Sequence, residues 1–386
     1  MALAAVTAFT ALGLAGLWPD GRRIASDAAD GVSGTLPATV TEVAPDGCIA
    51  TMGAVPGTTG PCRRVTVRLD GGPDRGRESA FDLGGDFSIG PGDGVRVAPL
   101  GLPPGATVGG VPADPYAFSD FERRAPLLWL SIAFAALVLV SARWRGLRAL
   151  LGLGASLAVV TLFVVPAILE GSSPVAVATF GSLAVMLVTI VLGHGIGPKA
   201  VAAILGTAAA LLLTLLLATI AVDLTHITGL ASEDATFLQA TAGDISIRGL
   251  LLAGIVIAAL GVLDDLTVTQ ASTVMALRAA NPALGAMQLF RRGMSVGHDH
   301  IVATVNTLVL AYAGASLPVL LIFSLGDTSF SAAVNSEVVA SQIVATLVGS
   351  MGLVAAVPIT TGLAALLASR MAPDEVGDAA HGHAHP

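Results

Sequence analysis

Long apolar runs follow one another through the last two-thirds of the chain, at residues 126–142, 149–169, 174–193, 200–222, 248–265, 301–325 and 338–369. Each is long enough to cross about 30 Å of hydrocarbon as a helix, which takes roughly 17–25 residues. The last run exceeds one straight span, so it predicts a half-amphipathic start near Glu337 and Gln342 and a break or kink near Pro358. A further run lies at residues 2–18, with no basic residue before it and no small-x-small cleavage site after it. That pattern favours an uncleaved anchor over residues 1–19 rather than a signal peptide. The sum is about eight transmembrane helices.

Between the first two spans the period changes. TLPATVTEV, RRVTVRLD, ESAFDLG and GVRVAPL alternate β-branched and polar residues and are separated by Gly, Pro and Asp. They predict four or five short strands in a small β-barrel-like domain of the OB or SH3-like kind over residues 30–100. Residues 101–125 are rich in Pro and Gly and are predicted to be a linker. The stretch 271–297 carries apolar residues at helical spacing (Val274, Leu277, Leu284, Met287, Leu289, Phe290) around Asn281-Pro282. It is expected to form an amphipathic elbow of two short helices on the cytoplasmic face.

Composition sharpens this division. Apolar residues make up 54% of the chain and charged residues 12%, about half the share usual in soluble domains. Of the 19 basic and 27 acidic residues, 24 fall before residue 126, so the polar part of the chain is its N-terminal third. A mean hydropathy of +0.81 excludes a soluble globular protein and a disordered one. The net charge of −8 leaves no basic face for nucleic acid. No Walker loop, GxSxG elbow, CxxC pair or HExxH helix is present. Accordingly no enzymatic activity and no cofactor are expected.

Arginine placement orients the spans. With the N-terminus in the cytoplasm, one set of short connections holds Arg143, Arg145, Arg148, Lys199, Arg278, Arg291, Arg292 and Arg370, and the opposite set holds Arg248. The positive-inside rule then puts both termini in the cytoplasm, including the His-containing tail 370–386, and the β domain outside. The two cysteines, Cys48 and Cys62, both fall in the β domain. A disulfide between them fits an oxidising compartment, and two free thiols are the alternative.

Polar residues at the ends of apolar runs are the candidate functional groups, because a charge at the centre of a transmembrane helix costs about 2.5–3.5 kcal/mol on insertion scales. In GVLDDLTVTQAS (261–272), Asp265 and Thr269 share one helical face and Asp264 and Thr267 the next, with Gln270 following. Two carboxylates with hydroxyls one turn on suit a cation or a proton relay. A helix end whose aspartates reach water explains the same pattern. In GHDHIVATVNTLVLAY (297–312), His298, Asp299 and His300 open a span and Asn306 lies inside it. An amide in lipid needs a partner, and the sixth span is the expected source. Two histidines with a carboxylate also suit a metal, though the spacing is weak; a polar helix start capping its own amides is the alternative. Thr360 and Thr361 follow Pro358, where their hydroxyls can satisfy freed carbonyls, and packing explains the motif as well.

GVLDDLTVTQAS, HDHIVATVNTLVLAYAGASLPVLLIF (298–323) and GSMGLVAAVPITTGLAALLA (349–368), with the order anchor, β domain, helical bundle, resemble the bacterial YibE/F-like membrane proteins over about residues 35–369. The resemblance implies a multipass protein of the bacterial cytoplasmic membrane and no secure biochemistry. The expectation is therefore an all-α polytopic membrane bundle over 126–369 with a small extracytoplasmic β domain. A permease-like secondary transport role would use Asp264, Asp265, Thr267, Thr269, Gln270, His298, Asp299, His300, Asn306, Thr360 and Thr361. The rival is a non-transporting scaffold or envelope sensor whose β domain binds a partner. The lipid bilayer is the expected partner, with an envelope protein or a second copy as further candidates.

Overall fold

A computed structural model describes residues 2–21, 34–45, 62–84, 88–102, 107–108, 111–112, 115–326 and 328–371. The chain divides into two compact units, Ala25–Leu137 and a second built from Met1–Ile24 with Val138–Pro386.

The first unit is a curled antiparallel sheet. Strands β1 (Leu36–Pro45), β2 (Cys62–Leu69), β3 (Glu78–Gly84) and β4 (Gly94–Pro99) form as the alternation predicts. After them come the two-residue hairpin strands β5 (Thr107–Val108) and β6 (Val111–Pro112), and then β7 (Tyr116–Phe121). The sheet order is β3-β2-β1-β4-β7. Every second residue points inward, so Ala38, Val40, Val65, Val67, Phe81, Leu83, Val95 and Val97 make one buried face. The outer strands of the list approach each other: the Phe81 and Phe118 rings lie 5.7 Å apart. The sheet thus closes into a half-barrel, helped by bulges between Val40 and Glu42 and between Arg96 and Val97. Residues 101–125 are not merely a linker, because β7 completes the sheet. Its aromatic residues Tyr116, Phe118 and Phe121 supply the β signal that the surrounding Pro and Gly obscure. The Tyr116 hydroxyl donates to Asp74 Oδ2 at 2.6 Å, and this bond raises the Tyr116 pKa. Cys62 opens β2, but Cys48 lies outside the described residues, and so does its pairing with Cys62.

The second unit is helical. Helix α1 (Ala2–Leu17) comes first. Helix α2 (Arg124–Val159) enters it and continues through a π-helical turn (Val160–Val164) into α3 (Val165–Leu169). Then follow α4 (Pro174–His194), α5 (Pro198–Leu224), α6 (Glu233–Thr241), α7 (Ile247–Ala280), α8 (Ala286–Ala315), α9 (Leu317–Leu325), α10 (Phe330–Asn335) and α11 (Glu337–Arg370). Among the described residues five helical stretches are long and apolar enough to cross a membrane, with the 46 residues of Arg124–Leu169 taken as one, and α8 with α9, bent by 55°, makes a sixth if the pair is one span. Helix α1 has 16 residues, about 24 Å at 1.5 Å per residue. The two runs expected at 126–142 and 149–169 lie on either side of a kink at Arg143, whose φ of 49° is not helical, where two helices meet.

Two further expectations change. Helix α11 runs through Pro358 without a break. The stretch 271–297 is no separate pair of short helices: its first part is the last turns of α7 and its second the first turns of α8. The turn between them is held by Arg278, whose guanidinium donates to the carbonyls of Pro282 and of Leu284 (2.7 Å). The tail beyond Met371 lies outside the described residues.

Helices α5, α7 and α11 pack on one another, with α4 against α7 and α8 against α7 and α11. Small residues let α5 and α11 approach. A Cβ on Gly206 would fall 2.0 Å from Thr360 Oγ1, and a Cβ on Gly352 would fall 2.0 Å from Thr214 Oγ1. Each helix thus offers one threonine and one glycine to the other, which fixes their register. Helix α1 lies on α4 in the same way, with Gly13 under the Phe180 ring. At the far end of α4 the backbone N–H of Asp20 donates to Glu170 Oε2 at 2.6 Å.

Candidate functional site

A run of polar side chains crosses the packed helices toward the end that carries His194. Asp264 sits in the middle of α7, where it faces α4. Its Oδ2 accepts a hydrogen bond from Thr189 Oγ1 at 2.8 Å. The single Thr189 proton also has the Val185 carbonyl within 2.9 Å. Two arrangements satisfy this geometry. Thr189 donates to an ionised Asp264, or a protonated Asp264 donates to Thr189 while Thr189 donates to Val185. Asp264 Oδ1 is buried and meets no hydrogen-bond partner among the described residues. Asp265, the next residue, is exposed. Neighbouring residues on a helix point about 100° apart, and here that separation divides the carboxylate pair into a sheltered member and an open one.

One turn on, Thr267 and Thr207 of α5 are fully buried with their hydroxyl oxygens 2.5 Å apart. Thr267 Oγ1 also donates to the Asp264 carbonyl at 3.2 Å. Gln270, 0% exposed, joins three helices. Its Nε2 donates to the Gly293 carbonyl of α8 at 2.7 Å and to Thr361 Oγ1 of α11 at 2.8 Å. Thr361 passes its own proton to the Val357 carbonyl at 2.6 Å. The Gly293 carbonyl fixes the amide orientation, since the flipped amide would set oxygen against oxygen. Gln270 Oε1 is then buried with no partner among the described residues, as is Thr360 Oγ1. Gly293 and Gly297, one turn apart on α8, make the groove for this amide. A Cβ on Gly297 would lie 2.5 Å from Val357 and 3.1 Å from Gln270 Nε2. Thr269 is half-buried and shares the helical face of Asp265 rather than that of Asp264.

The sixth and seventh spans therefore do meet, but through Gln270 and not through an Asp264–Asn306 contact. His298, Asp299 and Asn306 are exposed and His300 is half-exposed. They lie on the part of α8 whose opposite edge (Ile301, Val305, Leu308) packs inward. Asp264, Asp265, His298, Asp299 and His300, polar groups of two adjoining spans that could have met at one end, do not form a single cluster among the described residues. Among the described residues no three His, Cys, Asp or Glu side chains converge as a metal site would require.

Sequence reasoning missed Thr189 and Thr207. Each is a lone hydroxyl in an apolar run, a pattern that back-bonding to the helix's own carbonyls explains equally well. It also missed Glu337, which closes the opposite end of the bundle. Its carboxylate accepts from the backbone N–H of Thr228 (2.9 Å) and of Gly229 (2.6 Å) and from the Thr228 hydroxyl. Two clefts of about 430 and 690 Å³ open at that end. Arg248, ion-paired with Asp223, lines both.

Compared with curated proteins and with solved structures, the chain matches none. The family described as YibE/F-like protein matches residues 130–370, which take in Asp264, Gln270 and every helix that packs around them and leave out the β unit. The chain, an integral membrane protein by its apolar helices, belongs to the YibE/F-like protein family.

Proposed function

We propose that the protein is a permease-like secondary transporter whose coupling ion or proton binds at Asp264. The observation that carries this reading is the buried, unpartnered Asp264 Oδ1 beside a threonine that serves as donor to the ionised acid or acceptor from the protonated one. An ionised oxygen buried without a partner is expensive, so this site favours a bound proton or cation over an empty carboxylate. Thr267 and Thr207 are the neighbouring hydroxyls, and the Gln270–Thr361 junction holds the three helices around them. Asp265 plays no part in binding. The arginine distribution supports a cytoplasmic-membrane protein with the His194 end inside the cell, both termini cytoplasmic and the β unit outside, where Cys48 and Cys62 pair.

The test is proton uptake by the purified full chain in lipid vesicles, driven by a potassium diffusion potential and read by a trapped pH dye. Asp264→Asn lowers the flux at least about tenfold, the range a single essential proton-transfer group commands, and Asp265→Asn leaves it near wild type. Equal flux in Asp264→Asn and wild type, or loss confined to Asp265→Asn, contradicts the assignment.

A second reading is favoured by one observation: the β unit has a core of its own and lies outside the family match. In that reading it captures an envelope partner and the bundle anchors it. Deleting residues 34–121 separates the two, since a transporter keeps flux without them and a sensor loses its output.

A further inference from the structure

We infer that two copies of this chain associate in the membrane through the outward face of α8, with Asn306 of one copy hydrogen-bonded to Asn306 of the other.

The outward face begins at the exposed Asp299. Val302 and Leu310 are 71% and 63% exposed, while Ile301, Val305 and Leu308 on the opposite edge pack against the core. Asp299, Ala303, Asn306, Leu310 and Ala313 recur on α8 at alternating steps of four and three. That is the seam of a left-handed helix pair, with small residues where backbones approach. Asn306 sits in the middle of this seam, about 10 Å along the helix from Asp299 at 1.5 Å per residue. It makes no hydrogen bond among the described residues. The adjacent Thr307 is different, because its hydroxyl donates to the Ala303 carbonyl of its own helix at 3.0 Å. A carboxamide in hydrocarbon needs a donor and an acceptor from elsewhere.

Symmetry selects the occupant. Copies of one chain insert the same way up, so a two-fold pair has its axis along the membrane normal, and a residue on the axis meets itself. A carboxamide is self-complementary, carrying both donor and acceptor, so Asn306 at that position satisfies its twin. Asp299 also meets its twin, but at the rim, with water and the flanking His298 and His300 beside it.

The experiment uses the full chain carrying Cys48→Ser and Cys62→Ser, reconstituted in phosphatidylcholine–phosphatidylglycerol vesicles. Single cysteines are introduced at Ala303 and at Leu212, which is 51% exposed on α5. Oxidation yields a covalent homodimer for Ala303→Cys and none for Leu212→Cys. In the background without these added cysteines, subunit counting by photobleaching in dilute vesicles shows pairs. Asn306→Leu weakens association about tenfold, in line with the modest strength of single polar pairs between membrane helices, and Asn306→Gln restores most of it. Neither substitution alters insertion, because the site faces outward. Monomers at every protein density, pairing indifferent to Asn306→Leu, or cross-linking of Ala303→Cys only to a different membrane protein overturns the proposal.

Discussion

Helices α7 and α8 each carry a polar sequence inside an apolar run, yet they treat it oppositely. On α7, Gln270 is enclosed by Gly293 and Gly297 of α8 and bonded to two other helices, and Asp264 is sheltered against Thr189. On α8, His298, Asp299 and Asn306 turn away from the bundle. What separates the two is the neighbour available. Glycines on α8 open room for the α7 amide, while no described residue of the same unit packs on the outer face at Asn306. A polar residue in a membrane helix therefore marks a contact, which lies inside the chain for α7 and which we propose lies between chains for α8.

The largest expected effect that sharpens this contrast comes from Gln270→Leu. Two hydrogen bonds vanish and a side chain of different shape must enter a closed glycine groove. The thermal unfolding midpoint in detergent should fall by an amount equivalent to about 2–4 kcal/mol. An unchanged midpoint would break the distinction between sheltered and open groups. Next is Gly206→Ala, which drives a methyl into Thr360 Oγ1 and should lower stability by about 1–3 kcal/mol. Thr360→Ala made with it should return part of that loss, measured as a double-mutant cycle. His298→Ala, by contrast, should change monomer stability by no more than about 0.5 kcal/mol, as an exposed residue does; a larger loss would show that α8 is less open than its geometry implies.

The β unit offers a smaller prediction. Tyr116→Phe removes the bond to Asp74 and should cost about 1 kcal/mol. Because the folded-state pKa of Tyr116 is raised, its contribution is complete below the ordinary tyrosine pKa of about 10 and is lost as pH climbs through the folded value. The difference between wild type and Tyr116→Phe in alkaline unfolding should therefore shrink above that range. If it grew instead, the assigned partner would be wrong.

Much of the fold could be read from residue pattern. Strands β1 to β4 follow their alternation, and α4, α5, α7 and α11 follow their apolar length, because both depend on local periodicity. Strand β7 escaped because Pro and Gly surround it. In the site, Asp264, Thr267, Gln270 and Thr361 were visible as polar positions on apolar helices, but what each touches was not. Contact depends on which glycine of another helix stands opposite, and Gly293, Gly206 and Gly297 carry no polar signal. Asn306 was assigned a partner on the sixth span by the sound rule that an amide must be satisfied; the rule does not say by which chain.

The most direct test of the central claim, that Asp264 is a sheltered, proton-exchanging acid and Asp265 is not, is modification by dicyclohexylcarbodiimide, an apolar reagent that attacks protonated carboxyl groups in apolar surroundings. Full-length protein in membranes would be treated between pH 5 and pH 8 and the modified residue located by peptide mass spectrometry. The account predicts adducts on Asp264, increasing as pH falls, with Asp265 unmodified. Adducts on Asp265 alone, or none on Asp264 across that range, would contradict it.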